Sequence, residues 1–244
     1  MIEKKSHMVT KKQMPAANTQ LTNEPGRSLV DQVYEHLESM IVTLKLPPGA
    51  LLSEVVIGKE LGVSRTPVGE ALQRLAREGL VTVLARRGIV VTEISASEQM
   101  RLLELRRELS RFIARTGAKR ATAEERDALR TNATEFLKAA KTGDGIGVIA
   151  ADKKFHDLFA RCTHNNFAAL AMEPLDSLSR RFSYAHKMMQ ENGLVSAKLH
   201  ASIALAIAEG DQVKAENAAN ALADYLDAFV RKTLDQPPAL ISKQ

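Results

Sequence analysis

The segment Leu61–Gly79, LGVSRTPVGEALQRLAREG, constrains this chain more than any other. Gly62 is placed to end a short helix, and Ser64-Arg65-Thr66-Pro67 to open the next after a tight turn. Two helices joined by a short turn containing Gly form a helix-turn-helix. In the second helix Val68, Ala71, Leu72 and Leu75 recur at i, i+3, i+4 and i+7, the spacing of a buried face. Gly79 stands where the residue just past a helix end belongs. Such a pair brings the start of its second helix, here Ser64, Arg65 and Thr66, within reach of base edges in the major groove. The segment predicts a protein that reads DNA.

The flanks complete the unit. Leu29, Val33, Leu37, Ile41 and Leu44 keep helical spacing, and Pro47-Pro48-Gly49 ends that first helix. Ser53 is positioned as the N-cap of a helix running to Leu61. Two β-branched runs, Leu80–Leu84 and Ile89–Thr92, flank Arg86-Arg87-Gly88 and predict a hairpin. Three helices and a hairpin make a winged helix-turn-helix over 28–95, with Arg87 and Gly88 at the wing tip. Residues 28–95 hold seven Lys/Arg against eight acids, so the unit is not basic as a whole. Positive charge is instead focused on Arg65, Arg74, Arg77, Arg86 and Arg87, against only Glu70 and Glu78 in that stretch. Local neutralisation of phosphates needs that focusing. Residues 1–27 carry five Lys/Arg against two acids without an apolar period, and are expected to form a disordered basic arm.

From Ser95 onward no strand pattern occurs. Ser95-Ala96-Ser97-Glu98 and Thr122-Ala123-Glu124-Glu125 have the capping-box spacing. Helices are expected over about 96–120, 123–142, 146–163, 166–190, 194–209 and 211–235, with 236–244 as a tail. The fold class is therefore mainly α: a winged helix-turn-helix followed by an all-α helical bundle over 96–235. Aromatics at 4% and an absence of Trp suit Leu/Ala/Val-rich helix packing. No apolar run reaches the length of about 18 residues that a membrane span needs, and the N-terminal residues lack a signal-peptide core. The single Cys162 cannot form an internal disulfide. These features point to a cytoplasmic chain without a membrane partner.

Chemistry in the helical part rests on a few polar residues. Arg106 interrupts the apolar stripe Leu102, Leu109, Ile113, where a desolvated guanidinium needs an anion. That anion is either an internal carboxylate or the carboxylate of a bound small acid. Asp152 and His156, four apart, face one way on one helix, and His200 shares a stripe with Ile203 and Ile207. By spacing alone these are a metal set or ordinary polar pairs around a core His. His36, His164 and His186 have no such context and are expected to be surface or structural.

The helix-turn-helix resembles the GntR family of bacterial transcription regulators. The matching residues are Leu46-Pro47-Pro48-Gly49, Leu52-Ser53-Glu54, Leu61-Gly62-Val63-Ser64-Arg65-Thr66-Pro67-Val68, Glu70-Ala71-Leu72, Arg74-Leu75, Glu78-Gly79-Leu80-Val81 and Arg87-Gly88. The helical remainder resembles the FCD effector domain of the FadR/VanR branch, through Leu105-Arg106, Asp152, Phe155-His156, His164-Asn165, and His200 ahead of Gly210-Asp211. The resemblance implies operator contacts from Ser64, Arg65, Thr66, Arg74, Arg87 and Gly88, with Ser64 expected mainly to cap its helix, while Gln73, one turn on from Gly69, is placed to supply an alternative contact. It implies a divalent metal (Zn, Ni or Mn) on Asp152, His156 and His200, and an acid effector on Arg106. It also implies a homodimer bound to double-stranded operator DNA.

Three positions depart from the family pattern. Gly69 replaces an Arg that shares the face of Arg65, which costs about 1–3 kcal/mol of base discrimination per half-site. Val55 replaces another Arg, and Leu222 replaces the His that is the family's usual fourth metal ligand, leaving that position to water or ligand. The leading reading is a ligand-responsive, homodimeric regulator, a repressor rather than an enzyme. Its competitors are a metal-dependent enzyme built on the Asp/His set and a helical domain that only dimerises.

Overall fold

A computed structural model describes residues 28–85, 88–186 and 188–234. The basic arm, Arg87 at the wing tip and the C-terminal tail lie outside the described residues. The winged unit contains α1 (Leu29–Val42), β1 (Leu51–Leu52), α2 (Glu54–Leu61), α3 (Arg65–Arg77), β2 (Val81–Leu84) and β3 (Gly88–Val91). The strands pair antiparallel in the order β1-β3-β2, with Leu51 opposite Val90 and Val81 opposite Val91. The two-residue β1 is an addition to the expected hairpin, and two residues are too few to show a period-2 pattern. Val33, Leu37 and Ile41 of α1 close over Ile57, Val68, Leu72, Leu75 and Leu80, all fully buried. Gly62 adopts φ +70° at the end of α2, a left-handed conformation that favours Gly and makes the turn.

The second unit is all helical: α4 (Ala96–Arg120), α5 (Ala123–Thr142), α6 (Gly145–Arg161), α7 (Asn166–Ala185), α8 (Met188–Glu209) and α9 (Gln212–Leu234). Ser95 caps α4 by accepting from the Glu98 N–H, and Thr122 with Glu125 closes a reciprocal capping box on α5. The core runs through Ile113, Leu129, Phe155, Phe159, Met172 and Ile207. The boundary between α7 and α8 falls earlier than the sequence suggests. Helix α7 stops at His186, whose ring nitrogen Nδ1 donates back to the Phe182 carbonyl at 2.9 Å. Neither Gly nor Pro marks that stop. The break expected at Gly193 is instead a kink at Asn192 inside α8 (φ −130°, ψ 21°). Among the described residues no helix is long and apolar enough to cross a membrane.

Helix α7 joins the two cores. Its Leu178 packs against the winged-helix core, while Met172 and Phe182 belong to the helical one.

Candidate functional site

The first candidate surface is the open face of α3. Pro67, Val68, Ala71, Leu72 and Leu75 point inward, leaving Ser64, Arg65, Thr66, Gln73 and Arg77 exposed. Arg65 forms no ion pair among the described residues, so its guanidinium is free for another partner. Ser64 occupies the N-cap position but makes no side-chain cap bond. The expected capping role is therefore corrected: the hydroxyl and the first N–H groups of α3 are left for an outside acceptor, as at anion-binding helix starts. Gly88 adopts φ +92° opposite Leu84 and serves as the turn glycine of the hairpin.

Arg74 is a second correction. It stacks 3.7 Å over the Tyr34 ring and pairs with Glu78, Asp31 and Glu173. Nine residues at about 100° each put it half a turn away from Arg65. It faces α1 and α7 rather than the outer face, and ties the winged unit to the helical one.

The second candidate site lies between α4, α6, α7 and α8. Asp152 and His156 project from successive turns of α6, and His200 comes from α8. Their donor atoms all lie within 4.8 Å of one another. Both imidazole Nε2 atoms face the same carboxylate oxygen, Asp152 Oδ1, at 3.8 Å from His156 and 3.7 Å from His200. His200 Nδ1 donates to the Ser196 carbonyl at 2.8 Å, which leaves the Nε2 lone pair available. Burial pushes the His200 pKa down to about 4, so its ring is neutral at neutral pH. His156 Nδ1 lies 3.3 Å from Asp176 Oδ2, close but not aligned as a hydrogen bond. Two imidazoles with one carboxylate, backed by a second carboxylate and a carbonyl, have the chemistry of a divalent-cation site. Leu222, 5% exposed, lines a small neighbouring cavity with Arg106 and His156, so α9 supplies no ligand there.

Arg106 finds its anion inside the fold. Its Nε and Nη2 donate to Asp176 Oδ1 at 3.1 and 2.7 Å. Of the two partners open to it on sequence grounds, the internal carboxylate is the one the fold provides. Burial alone would raise the Asp176 pKa, but His156 and the Arg106 guanidinium outweigh it and hold the carboxyl well below its usual range. Removing one member of a buried pair strands the other. Asp176→Asn is expected to destabilise the protein by about 1.5–3 kcal/mol, the worth of a hydrogen bond to a charged group. Denaturant unfolding at neutral pH is the check, and an unmoved midpoint would mean that the pair is not formed.

Two contributors gave no local signal in the sequence. Asp176 is 70 residues from Arg106. Arg180 places Nε 3.6 Å from Asp152 Oδ2 and Nη1 3.1 Å from Glu38 Oε1 of α1. The cavity among these groups has a volume of about 50 Å³, and Val42 and Thr43 from α1 form part of its wall. Among the described residues the other histidines are structural or superficial: His164 is exposed beside Glu125 at 3.0 Å, and half-buried His36 lines neither site.

Comparison with known proteins decides the family. Residues 29–91 match the profile of bacterial regulatory proteins of the gntR family, and residues 101–225 match the FCD domain. The chain belongs to the GntR family. It is 35% identical over 142 residues to an uncharacterized HTH-type transcriptional regulator in the TAR-I ttuE-ttuC' intergenic region of Agrobacterium vitis, covering 54% of this chain and 80% of that one. It is 28% identical over 160 residues to the HTH-type transcriptional repressor RspR of Escherichia coli, 66% of this chain and 70% of the relative. The solved structure of E. coli McbR/YncC shares its fold, with a TM-score of 0.69 and 19% identity over 85% of this chain and 99% of that one.

In this GntR regulator, Gly69 is the departure with a direct structural test. A Cβ built there would sit 3.5 Å from Glu54 Oε1, an ordinary contact, so a side chain fits. Gly69→Arg is expected to fold, to gain about 0.5–1 kcal/mol from replacing a mid-helix Gly, and to change the DNA sequences preferred. Selection of binding sites from random DNA compares the two proteins. Identical preferred sites would mean that position 69 does not face the bases.

Proposed function

We propose that the winged unit (28–95) reads operator DNA and the helical unit (96–235) senses a divalent cation together with a small organic acid. The observation that carries the sensing half is the convergence of His156 Nε2 and His200 Nε2 on Asp152 Oδ1. Asp152, His156 and His200 would hold the cation, which when bound supplies a Lewis-acidic centre for a carboxylate. Arg106 contributes beside it: Asp176 engages its Nε and Nη2, and a guanidinium carries five donors, so Nη1 remains for an acid. The cavity of about 50 Å³ favours a short acid headgroup over a bulky ligand.

On the DNA side, Arg65 and Thr66 address base edges, Ser64 addresses phosphate and Gln73, one turn on from Gly69, supplies an alternative contact, with Arg87 and Gly88 of the wing reaching the neighbouring groove or backbone. The protein acts as a homodimer in the cytoplasm, and as a repressor, in line with the name of the E. coli relative. The helical unit serves as a sensor rather than a catalyst.

The test is an operator titration at fixed salt, on a site selected from random DNA, with Zn²⁺ and a panel of short mono- and dicarboxylates. At least one acid is expected to shift operator affinity by about fivefold or more, the usual scale of coupling between sites. The shift should be lost in Arg106→Ala. Operator affinity that ignores every cation and acid combination would defeat the sensor reading, and turnover of an acid would favour an enzyme.

A further inference from the structure

Helix α7 presents one face to the winged unit and another to the cation site. Residues 173, 177, 180 and 181, spaced i, i+4, i+7 and i+8, form the first face. Glu173 takes Arg74 of α3. Ser177 Oγ and Arg180 Nη1 both donate to Glu38 Oε1 of α1, at 2.9 and 3.1 Å. Arg181 donates to the Thr92 and Glu93 carbonyls after β3. On the other face Asp176 holds Arg106, and Ser179 accepts from Gln99.

Among the described residues Arg180 is the side chain that reaches both faces. It shares itself between Glu38, in the DNA-binding unit, and Asp152, in the candidate cation site. All three groups are largely withdrawn from water, with side-chain exposures of 14%, 4% and 12%. Interactions between such charges are screened far less than on a surface.

The geometry points to Arg180 as a positioning residue that converts ligation of Asp152 into a firmer grip on Glu38, and so on α1. This rests on the cation site proposed above. Free Asp152 attracts the guanidinium away from Glu38. Asp152 engaged with a cation no longer does, and the added positive charge repels Arg180 toward Glu38. Helix α1 shares its buried face with Val68, Leu72 and Leu75 of α3, so a change in its anchoring is felt by the recognition helix. Val42 and Thr43, one turn past Glu38, already border the cavity.

The experiment uses the full chain, Zn²⁺ alone as probe, and three readouts: Zn²⁺ affinity by calorimetry, operator affinity with and without Zn²⁺, and amide hydrogen exchange over residues 37–43. In the parent, Zn²⁺ should slow exchange over that stretch and shift operator affinity by about fivefold or more. Glu38→Gln keeps the size and hydrogen-bond acceptor but not the charge. It should still bind Zn²⁺, yet its operator affinity should move less than about twofold and its exchange should not slow. Arg180→Gln serves the same purpose should Glu38→Gln fail to fold. It should bind Zn²⁺ at least as tightly as the parent, because a competitor for Asp152 is gone, and should also lose the shift. Glu173→Gln loosens the same interface without touching Asp152 and should keep it.

A Zn²⁺-dependent shift retained in both Glu38→Gln and Arg180→Gln overturns the role of Arg180 while leaving the sensor intact. Zn²⁺ binding to the parent without any shift overturns it as well. A parent that binds no Zn²⁺ overturns the cation site itself, and this coupling with it.

Discussion

Arg65→Ala is expected to abolish the preference for operator over random DNA. Arg65 is the first residue of α3, exposed, and forms no ion pair among the described residues. Its removal therefore leaves the core of Val68, Leu72 and Leu75 untouched, and the loss falls on recognition rather than stability. A bidentate Arg–guanine contact discriminates by about 1–3 kcal/mol, and the proposed homodimer would use two of them. The combined loss of about 2–6 kcal/mol corresponds to roughly 30-fold to 10⁴-fold in affinity. Titrations of operator and random DNA at one salt concentration separate this from a change in phosphate contacts, which would weaken both alike. Lys11→Ala, in the N-terminal segment, should leave the ratio unchanged. An unchanged ratio in Arg65→Ala would mean that α3 does not read bases through this residue.

What could be read in the sequence follows the range of the interactions. Gly62, Ser64 and Pro67 act within a few residues of one another, so the helix-turn-helix was legible to within a residue. The capping box at Thr122 and Glu125 is equally local and fixed the start of α5. Strand β1 was not legible, because Leu51 and Leu52 are strand only by pairing with Val90 and Ile89, 39 and 37 residues on. Arg74 illustrates a different failure. Its charge marks it for DNA, but its position half a turn from Arg65 decides otherwise. Helical phase was a better guide there than residue type.

In the candidate site, periodicity placed Arg106 and His200 on apolar stripes, and both are buried; for His156 it gave only the shared face with Asp152. It could not say what they meet. Asp176 and Arg180 come from α7, whose apolar pattern marks them only as neighbours of a buried stripe. The pairs Arg106–Asp176 and Arg180–Glu38 span 70 and 142 residues. Only the packing of α7 between the two cores brings them together, and that is a tertiary fact.

The second large effect concerns the cation. His200→Ala and His156→Ala are each expected to abolish stoichiometric binding of Zn²⁺. With Leu222 in place of a further imidazole the proposed site would offer three side-chain ligands, and a divalent cation held by three cannot spare one. The substitutions should leave the fold in place. His200 is packed edge-on to Phe155 and near Phe136, so His200→Ala also opens a small cavity, and circular dichroism should accompany it. Asp176→Asn should retain Zn²⁺ with reduced affinity, because Asp176 backs His156 without being a ligand; such partners contribute about 10–100-fold.

The most direct measurement is the metal content of protein purified without chelator and reconstituted with Zn²⁺, set beside His156→Ala and His200→Ala. The expected result is about one ion per chain in the parent and close to none in either variant. No bound metal in the parent after reconstitution, or equal content in all three proteins, would contradict the site formed by Asp152, His156 and His200.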